Sequence, residues 1–247
     1  MKKGGIIAGK NSVEEALKAG RPLNKVFFAR GIKRGTIQEI ISLAEKQGIP
    51  YQFVAREKLD SLAEGNLHQG VLAWAGVKAY VEWEEMIGRA ERKKEIPFLV
   101  ILDGLEDPQN LGAILRTAEV VGVHGVIIPK HRAVGLTPAV SRASAGAVEY
   151  VPVARVANLP QVMDKLKERG FWLVGTEPLA ERNYLEVDLK EPLALVLGSE
   201  AEGMRRLVKE KCDFLVKVPM RGKINSLNVS VTAALLFYEV IRQRGWL

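Results

Sequence analysis

Apolar and polar positions alternate at short intervals in the first part of this 247-residue chain. Three brief apolar runs have the length of strands, at 25–29, 51–54 and 71–74. Amphipathic segments around them predict helices at 13–18, 36–47 and 56–63, with Asn11 or Ser12 capping the first. Residues 1–76 are therefore predicted to form a small α/β domain, which is large enough to fold alone.

Residues 77–95 are rich in charge and only weakly helical, and Pro97 follows them. The charged stretches are Glu82-Trp83-Glu84-Glu85 and Glu91-Arg92-Lys93-Lys94-Glu95. A segment of this composition between two regularly patterned regions indicates an interdomain linker with room for one helix.

From residue 96 onward, continuous apolar runs alternate with helical segments. The runs at 98–102 and 125–128 are typical of strands that are buried on both faces of a parallel sheet. Further strands are predicted at 150–153, 171–174, 193–197 and 214–218, and helices at 108–122, 159–169, 204–208 and 226–242. This alternation predicts a doubly wound α/β domain over 96–247, with its ligand site at the carboxyl ends of the strands.

Charge and composition narrow the class of protein. The net charge is +7, and residues 1–80 hold 13 Lys/Arg against 7 Asp/Glu. A basic module on a nearly neutral body suits a polyanion such as RNA, although solubility alone is the simpler explanation. The single cysteine, Cys212, fits a reducing cytoplasm, and with three histidines it shows no metal-ligand spacing. No apolar run is long enough to span a membrane.

Three polar loops follow predicted strands, where a ligand site is expected. They are Asp103–Asn110, Gly198–Gly203, and Val218–Lys223 running into Ser226-Leu227-Asn228. Gly198 to Gly203 has the glycine spacing of a P-loop, but Met204-Arg205 replaces the required Lys-Ser/Thr. No dinucleotide fingerprint follows the first strand of this domain either. The pattern favours a ligand that carries an adenosine and little or no phosphate.

Three ordered motifs give the loops a specific resemblance. Asn110-x-Gly112-x-x-x-Arg116, Gly198-Ser199-Glu200-x-x-Gly203 and Ser226-Leu227-Asn228-Val229-Ser230 resemble the motifs of the SpoU/TrmH family of RNA ribose 2′-O-methyltransferases, in the SPOUT superfamily. The first 76 residues resemble the family's ribosomal-protein-like RNA-binding domain, including His68-Gln69-Gly70. The resemblance is closest to the branch that methylates a guanosine in 23S rRNA.

The resemblance implies a fold, a cofactor and partners. The carboxyl-terminal domain is expected to contain a deep trefoil knot, an exception to the general avoidance of knots. S-adenosylmethionine is expected in a pocket that is lined, largely through backbone groups, by Thr176, Gly198, Val218, Met220 and Leu227. The expected partners are RNA, with 23S rRNA ahead of tRNA, and a second copy of the chain that completes each site. Neither a membrane nor DNA is expected as a partner.

The resemblance also implies catalytic roles. Arg116 is the family's proposed base, but an arginine side chain is always protonated. A fixed guanidinium that holds an RNA phosphate and stabilises the forming alkoxide is an equally defensible role. Asn110, Ser226 and Asn228 are expected to orient Arg116 and the substrate, and Glu200 to anchor these side chains.

Simpler interpretations exist for each residue taken alone. Arg116 could be a salt-bridged helix residue, Asn110 a helix cap, and Glu200 part of a solvated loop. Ser226 could start the last helix, and His68 is as well explained by a satisfied buried histidine as by an RNA contact. A non-catalytic RNA-binding assembly factor and a doubly wound oxidoreductase are the competing functions.

Overall fold

The computed structural model describes residues 5–76 and 78–246, so the predicted domain limits at 1, 77 and 247 lie outside the described residues. In chain order the strands are β1 (Gly5–Ala8), β2 (Leu23–Ala29), β3 (Tyr51–Val54), β4 (Val71–Ala75), β5 (Phe98–Asp103), β6 (Gly125–Pro129), β7 (Val153–Val156), β8 (Trp172–Thr176), β9 (Arg182–Asn183), β10 (Leu193–Gly198) and β11 (Phe214–Lys217). The α-helices are α1 (Lys10–Lys18), α2 (Arg34–Lys46), α3 (Arg56–Ala63), α4 (Trp83–Lys93), α5 (Pro108–Val120), α6 (Pro138–Ala143), α7 (Leu159–Glu168), α8 (Arg206–Lys211) and α9 (Val229–Gln243). Short 3-10 helices lie at Ala147–Glu149 and Tyr184–Glu186.

The chain forms two compact units, which are called unit 1 and unit 2 below. Unit 1 joins the described part of Met1–Ala79 to Gly135–Tyr150, and unit 2 consists of the described part of Tyr80–Val134 and Val151–Leu247. Each predicted domain, 1–76 and 96–247, was one continuous stretch of sequence. The segment 135–150 lies within the second of these stretches but folds with unit 1.

Unit 1 is built on a four-stranded sheet in the order β1-β4-β2-β3. Strand β4 runs antiparallel to both β1 and β2, while β3 pairs with β2 in parallel. Helix α6 packs beside α1 and β1, and the Ser12 hydroxyl donates to the Ser141 carbonyl oxygen at 3.2 Å. Arg21 forms an ion pair with Glu149, whose side chain is almost fully buried. These contacts explain why 135–150 belongs to this unit.

Unit 2 is built on a seven-stranded parallel sheet in the order β7-β6-β5-β10-β8-β11-β9. Leu99 and Ile101 of β5 share a core with α4, α7 and α8. Phe98, which points to the other face by strand alternation, meets Phe237 of α9, and α9 packs on α5. Helices therefore cover both faces, which confirms the predicted doubly wound α/β fold. The threading of a trefoil knot stays a prediction.

The predicted linker contains a helix of the core of unit 2. Along α4, the buried residues Trp83, Met86, Ile87 and Ala90 follow the spacing of one helix face. Met86 lies so close to Gly125 that a Cβ at that glycine would overlap its Sδ atom. The charged residues that suggested a linker occupy the opposite, solvated face, so charge content hid an amphipathic helix.

Most predicted elements are confirmed within a few residues, and β3 and α3 match their predicted limits. The strand predicted at 150–153 is wrong at its start, because β7 begins only at Val153, after Pro152, which has no N–H for a ladder. The predicted cap on α1 is also wrong. That helix begins at Lys10 after Gly9, and no side chain caps it. Strands β1 and β9 and helix α6 were not predicted.

Candidate active site

The candidate site lies where the order of the sheet in unit 2 reverses. Strands β5 and β10 are neighbours, and Gly198 pairs with Asp103 at their carboxyl ends. The chain continues from β5 toward β6 on one side, whereas β8 and β11 lie on the other side. Loops from neighbouring strands diverge at such a point and leave a crevice, which is where ligands bind in open α/β sheets.

A cavity of about 620 Å³, called cavity 1, occupies this crevice. Its size is within the range of small-molecule sites. Strands β8, β10 and β11 each contribute their carboxyl-terminal residues, and the segment before α9 supplies another wall. All five residues predicted to bind the cofactor line it, together with three of the predicted catalytic residues: Thr176, Gly198, Val218, Met220 and Leu227, with Glu200, Ser226 and Asn228. Their function remains a prediction, but the fold brings them together.

Close backbone contact shapes one wall of cavity 1. A Cβ at Gly198 would overlap the Gly203 carbonyl carbon and the Met204 amide nitrogen. The Ser199 N–H donates to the Gly203 carbonyl oxygen at 3.1 Å, and the Gly203 N–H donates back to the Ser199 carbonyl oxygen at 2.9 Å. Gly203 has φ +66, a left-handed conformation that favours glycine. The two glycines thus permit a closed loop directly after β10.

Three polar side chains from distant parts of the chain form a cluster beside this loop. The Asn110 Nδ2 donates to Glu200 Oε2 at 3.1 Å, and the Asn228 Nδ2 lies 2.8 Å from Asn110 Oδ1 and 2.5 Å from Glu200 Oε1. Asn110 is only 5% exposed, so its amide needs these partners. The Val229 N–H also donates to Glu200 Oε1 at 3.3 Å. Glu200 therefore holds both asparagine amides in fixed orientations, and its role in the reaction stays a prediction.

The helix ends place two of these residues differently from expectation. Asp107 caps α5 by accepting from the Gln109 N–H at 2.9 Å, so the expectation that Asn110 is the cap is wrong. Asn110 instead lies in the first turn, where its side chain points to Glu200. Asn228 caps α9, since its Oδ1 accepts from the Ser230 N–H at 2.9 Å. Ser226 precedes that helix and lines cavity 1.

Arg116 stands apart from the cluster. It lies six residues beyond Asn110 on α5, about 9 Å further along the axis and about 120° around it. Its side chain is exposed and lines neither cavity 1 nor the neighbouring cavity described below. Within residues 5–76 and 78–246 it forms no hydrogen bond or ion pair, so the salt-bridged interpretation finds no support in the structure. Its guanidinium is available to an external group.

An ion pair that sequence reasoning missed braces the same loop. The Asp103 side chain is fully buried and accepts from the Arg205 N–H at 2.8 Å and from Arg205 Nε at 2.7 Å. Asp103 ends β5, and Arg205 follows the Ser199–Gly203 loop, so this pair ties the loop to the sheet. An acidic residue closing a continuous apolar strand was the signal that could have pointed to it.

His68 belongs to unit 1 and has a structural environment. It is 5% exposed; its Nδ1 accepts from the Gly70 N–H at 3.0 Å, and its Nε2 lies 2.8 Å from Asp60 Oδ1. Accepting at Nδ1 leaves the proton of the neutral ring on Nε2, which donates to Asp60. The satisfied buried histidine is therefore the interpretation that the structure supports. Gln69, which is exposed, sits beside it with φ +50.

Three features of other protein classes are absent from the described residues: a membrane-spanning helix, a metal-binding cluster and a reactive thiol. None of the described helices combines the length and the hydrophobicity needed to cross a lipid bilayer. Across the same described part of the chain, no three His, Cys, Asp or Glu side chains are grouped so that they could hold a metal ion. Burial raises the pKa of the Cys212 thiol to about 12. That thiol is therefore protonated and poorly nucleophilic at neutral pH.

The fold and the crevice define a parallel-sheet α/β domain with a small-molecule site at its switch point. Comparison with known proteins gives the family. Residues 97–238 match the SpoU rRNA methylase family, and residues 6–80 match a domain described as RNA 2′-O ribose methyltransferase substrate binding. The chain belongs to the SpoU methylase family, whose members are RNA methyltransferases.

Individual relatives agree with this membership. A Bacillus subtilis (strain 168) protein, YacO, assigned to the TrmH family of tRNA/rRNA methyltransferases, is 54% identical over 97% of this chain and 96% of its own length. A crystal structure of an RNA 2′-O ribose methyltransferase is 32% identical, with a TM-score of 0.79 over 98% of this chain and 90% of that chain. The SpoU methyltransferase AviRb from Streptomyces viridochromogenes, solved in complex with AdoMet, is 25% identical, with a TM-score of 0.81 over the same shares.

Proposed function

We propose that this protein methylates the 2′-hydroxyl of a ribose, on a guanosine of 23S rRNA, with S-adenosylmethionine as methyl donor. The observation that carries the proposal is the Asn110–Glu200–Asn228 cluster at the wall of cavity 1. It joins the three family motifs in space. A non-catalytic binding protein would have little physical need to hold two amides and a carboxylate so closely beside an open cavity.

The lining of cavity 1 suits S-adenosylmethionine. Val218, Met220 and Leu227 offer apolar surface. Met220 and Leu227 are each 37% exposed, which leaves side-chain surface against which a planar ring can pack. The charged lining residues are three carboxylates, Glu177, Glu200 and Glu202, and a single lysine, Lys217. The carboxylates complement a cationic group such as a sulfonium.

The chain's own residues would arrange the acceptor. When bound, S-adenosylmethionine supplies a methyl group whose transfer to the ribose 2′-oxygen leaves S-adenosylhomocysteine and a proton. Glu200 keeps Asn110 and Asn228 oriented, so that their amides can hold the ribose without reorganising. Arg116 remains charged at any physiological pH, which suits it to bind an RNA phosphate and stabilise negative charge on the 2′-oxygen.

The position of Arg116 supports a homodimer. In one protomer it lies outside both cavities, on the outer face of α5 near Val120, which is 64% exposed. Helix α9 packs on α5 and exposes Val231, Leu235 and Tyr238 at the spacing of one stripe, with exposures of 46%, 37% and 45%. A continuous stripe of exposed apolar side chains on one helix suits an interaction site. We propose that a second copy covers it and receives Arg116 into its active site.

The test of the reaction is transfer of labelled methyl from S-adenosylmethionine to unmodified large-subunit rRNA, with bulk tRNA in parallel, followed by mapping of the label. Label on the ribose of a guanosine in rRNA is the expected result. Label on tRNA alone would support methyl transfer to RNA but would overturn 23S rRNA as the substrate. Cofactor binding without label on either RNA would overturn 23S rRNA as the substrate and favour the non-catalytic alternative.

Mixed dimers test whether each site uses both protomers. Arg116→Ala and Glu200→Gln are each expected to abolish methyl transfer in a homodimer. Co-expression of the two variants should restore about a quarter of the wild-type rate, because half of the dimers are mixed and each mixed dimer has one complete site. No recovery, with mixed dimers confirmed by mass spectrometry, would show that Arg116 acts within its own protomer.

A further inference from the structure

A second cavity, called cavity 2, lies against the other side of the loop that walls cavity 1. Its volume is about 430 Å³. The loop residues 199–203 line both cavities. Cavity 2 continues to the chain that follows β5, with Gly104 and Asp107, and reaches Asn110 and Arg132. Asn110 faces cavity 2 and Asn228 faces cavity 1, while Glu200 lines both and bonds to each asparagine.

We infer that cavity 2 takes the acceptor nucleotide of the RNA; this inference rests on the proposed function. A reacting oxygen must come within about 3 to 3.5 Å of the methyl carbon, so the acceptor pocket has to share a wall with the cofactor pocket. Cavity 2 shares such a wall. Two other cavities in the described part of the chain, one beside Phe98 and Trp246 and one beside Leu185 and Arg242, share no lining residue with cavity 1.

One cation in cavity 2 is available for a phosphate. Arg132 is exposed, has φ +53 and forms no hydrogen bond or ion pair within residues 5–76 and 78–246. Arg205, the other cation of the lining, is already engaged by the buried carboxylate of Asp103. A guanidinium matches the geometry of a phosphate group and binds it through two parallel hydrogen bonds. Arg132 is therefore assigned to a phosphate of the acceptor nucleotide.

The carboxylates of cavity 2 favour guanine among the four bases. Glu106, Asp107 and Glu202 are exposed in the lining, and an ionised carboxylate only accepts hydrogen bonds. Guanine presents its N1–H and N2–H₂ donors side by side, so one carboxylate can accept from both. Adenine and cytosine place a ring acceptor beside their amine, and uracil has a single ring N–H between two carbonyls. An acidic pocket therefore binds guanine more tightly than the other bases.

Binding of free nucleotides tests the assignment without methyl transfer. The probes are GMP and AMP, measured by saturation-transfer NMR on the full-length protein saturated with S-adenosylhomocysteine. We expect GMP to bind more tightly than AMP. Arg132→Ala should weaken both by about tenfold, and Glu106→Gln should reduce the preference for GMP. The controls are Arg92→Ala and Glu91→Gln on α4, which lines neither cavity, and they should match the wild type.

A second readout separates this inference from the proposed function. In rRNA methylation, Arg132→Ala should raise KM for RNA about tenfold, with S-adenosylmethionine affinity by calorimetry unchanged. Failure of the wild-type protein to bind S-adenosylmethionine would overturn the proposed function itself. Normal cofactor binding and methylation, with KM for RNA and GMP binding unaffected in Arg132→Ala, would overturn only the assignment of cavity 2. Absence of any saturation transfer to GMP in the wild-type protein would also overturn it.

Discussion

Replacing Gly198 with alanine is expected to open the loop that separates the two cavities. A Cβ at this position would overlap the Gly203 carbonyl carbon and the Met204 amide nitrogen, and would lie 2.5 Å from the Gly203 carbonyl oxygen. Ordinary van der Waals contact begins at 3.4 Å, so the loop must retreat by about 0.9 Å to clear this oxygen alone, and further to clear the two nearer atoms. Because the obstructing atoms belong to the backbone, no rotamer change can relieve the clash.

The magnitude follows from what that movement disrupts. Overpacking of a well-packed site costs about 1–3 kcal/mol. The same shift stretches the two hydrogen bonds between Ser199 and Gly203, each worth about 0.5–1.5 kcal/mol net. Some of these costs overlap, so we expect Gly198→Ala to lower the free energy of unfolding by about 2–4 kcal/mol. Affinity for S-adenosylmethionine should fall with it, since the displaced loop walls cavity 1.

Two other glycines provide matched controls. Gly203 has room for a Cβ but φ +66, so Gly203→Ala should cost only the conformational strain, about 1 kcal/mol. Gly222 has neither a close neighbour nor a left-handed φ, and Gly222→Ala should be nearly neutral. Urea unfolding gives the three stabilities, and calorimetry gives the cofactor affinities. If Gly198→Ala proved as stable as Gly222→Ala, the close approach of the loop to β10 would be refuted.

Three further perturbations test other parts of unit 2. Asp103→Asn should cost about 2–3 kcal/mol in urea unfolding and weaken cofactor binding in calorimetry, with the half-exposed Arg205 limiting the loss; unchanged values would refute the bracing role. Arg244 donates to four backbone carbonyls, and burial lowers its pKa to about 10; Arg244→Ala should cost about 3 kcal/mol of unfolding free energy, and a loss under 1 kcal/mol would contradict the clamp. Burial lowers the pKa of His124 despite its hydrogen bond to Glu95. The imidazole of His124 therefore binds a proton more tightly in the unfolded chain than in the folded protein. The contribution of the neutral, buried His124 to stability should be complete above the unfolded pKa of about 6.5 and should diminish as pH falls below it. His124→Gln should therefore flatten the dependence of the urea midpoint on pH.

Local patterns accounted for much of the fold. Strand β3 and helix α3 were predicted to the residue because their periodicity and their flanking residues are contained within a few positions. The amphipathic face of α4 was present in the sequence too, but the dense charge around Trp83 and Met86 obscured it. Helix α6 was missed because it is short and its place is set by α1 and β1, more than a hundred residues earlier in the chain.

The sequence by itself determined the types of chemistry available: the three motifs, the absence of both phosphate cradles, and the five residues predicted to bind the cofactor. Tertiary structure alone decided which of these groups meet. Asn110 bonds to Glu200 across 90 positions and to Asn228 across 118, and the order of the sheet brings them together. The same order paired Asp103 with Arg205 and left Arg116 on an outer surface. Helix and strand signals act over a few residues, whereas a site depends on which strand ends become neighbours, and that is settled only when the whole hydrophobic core packs.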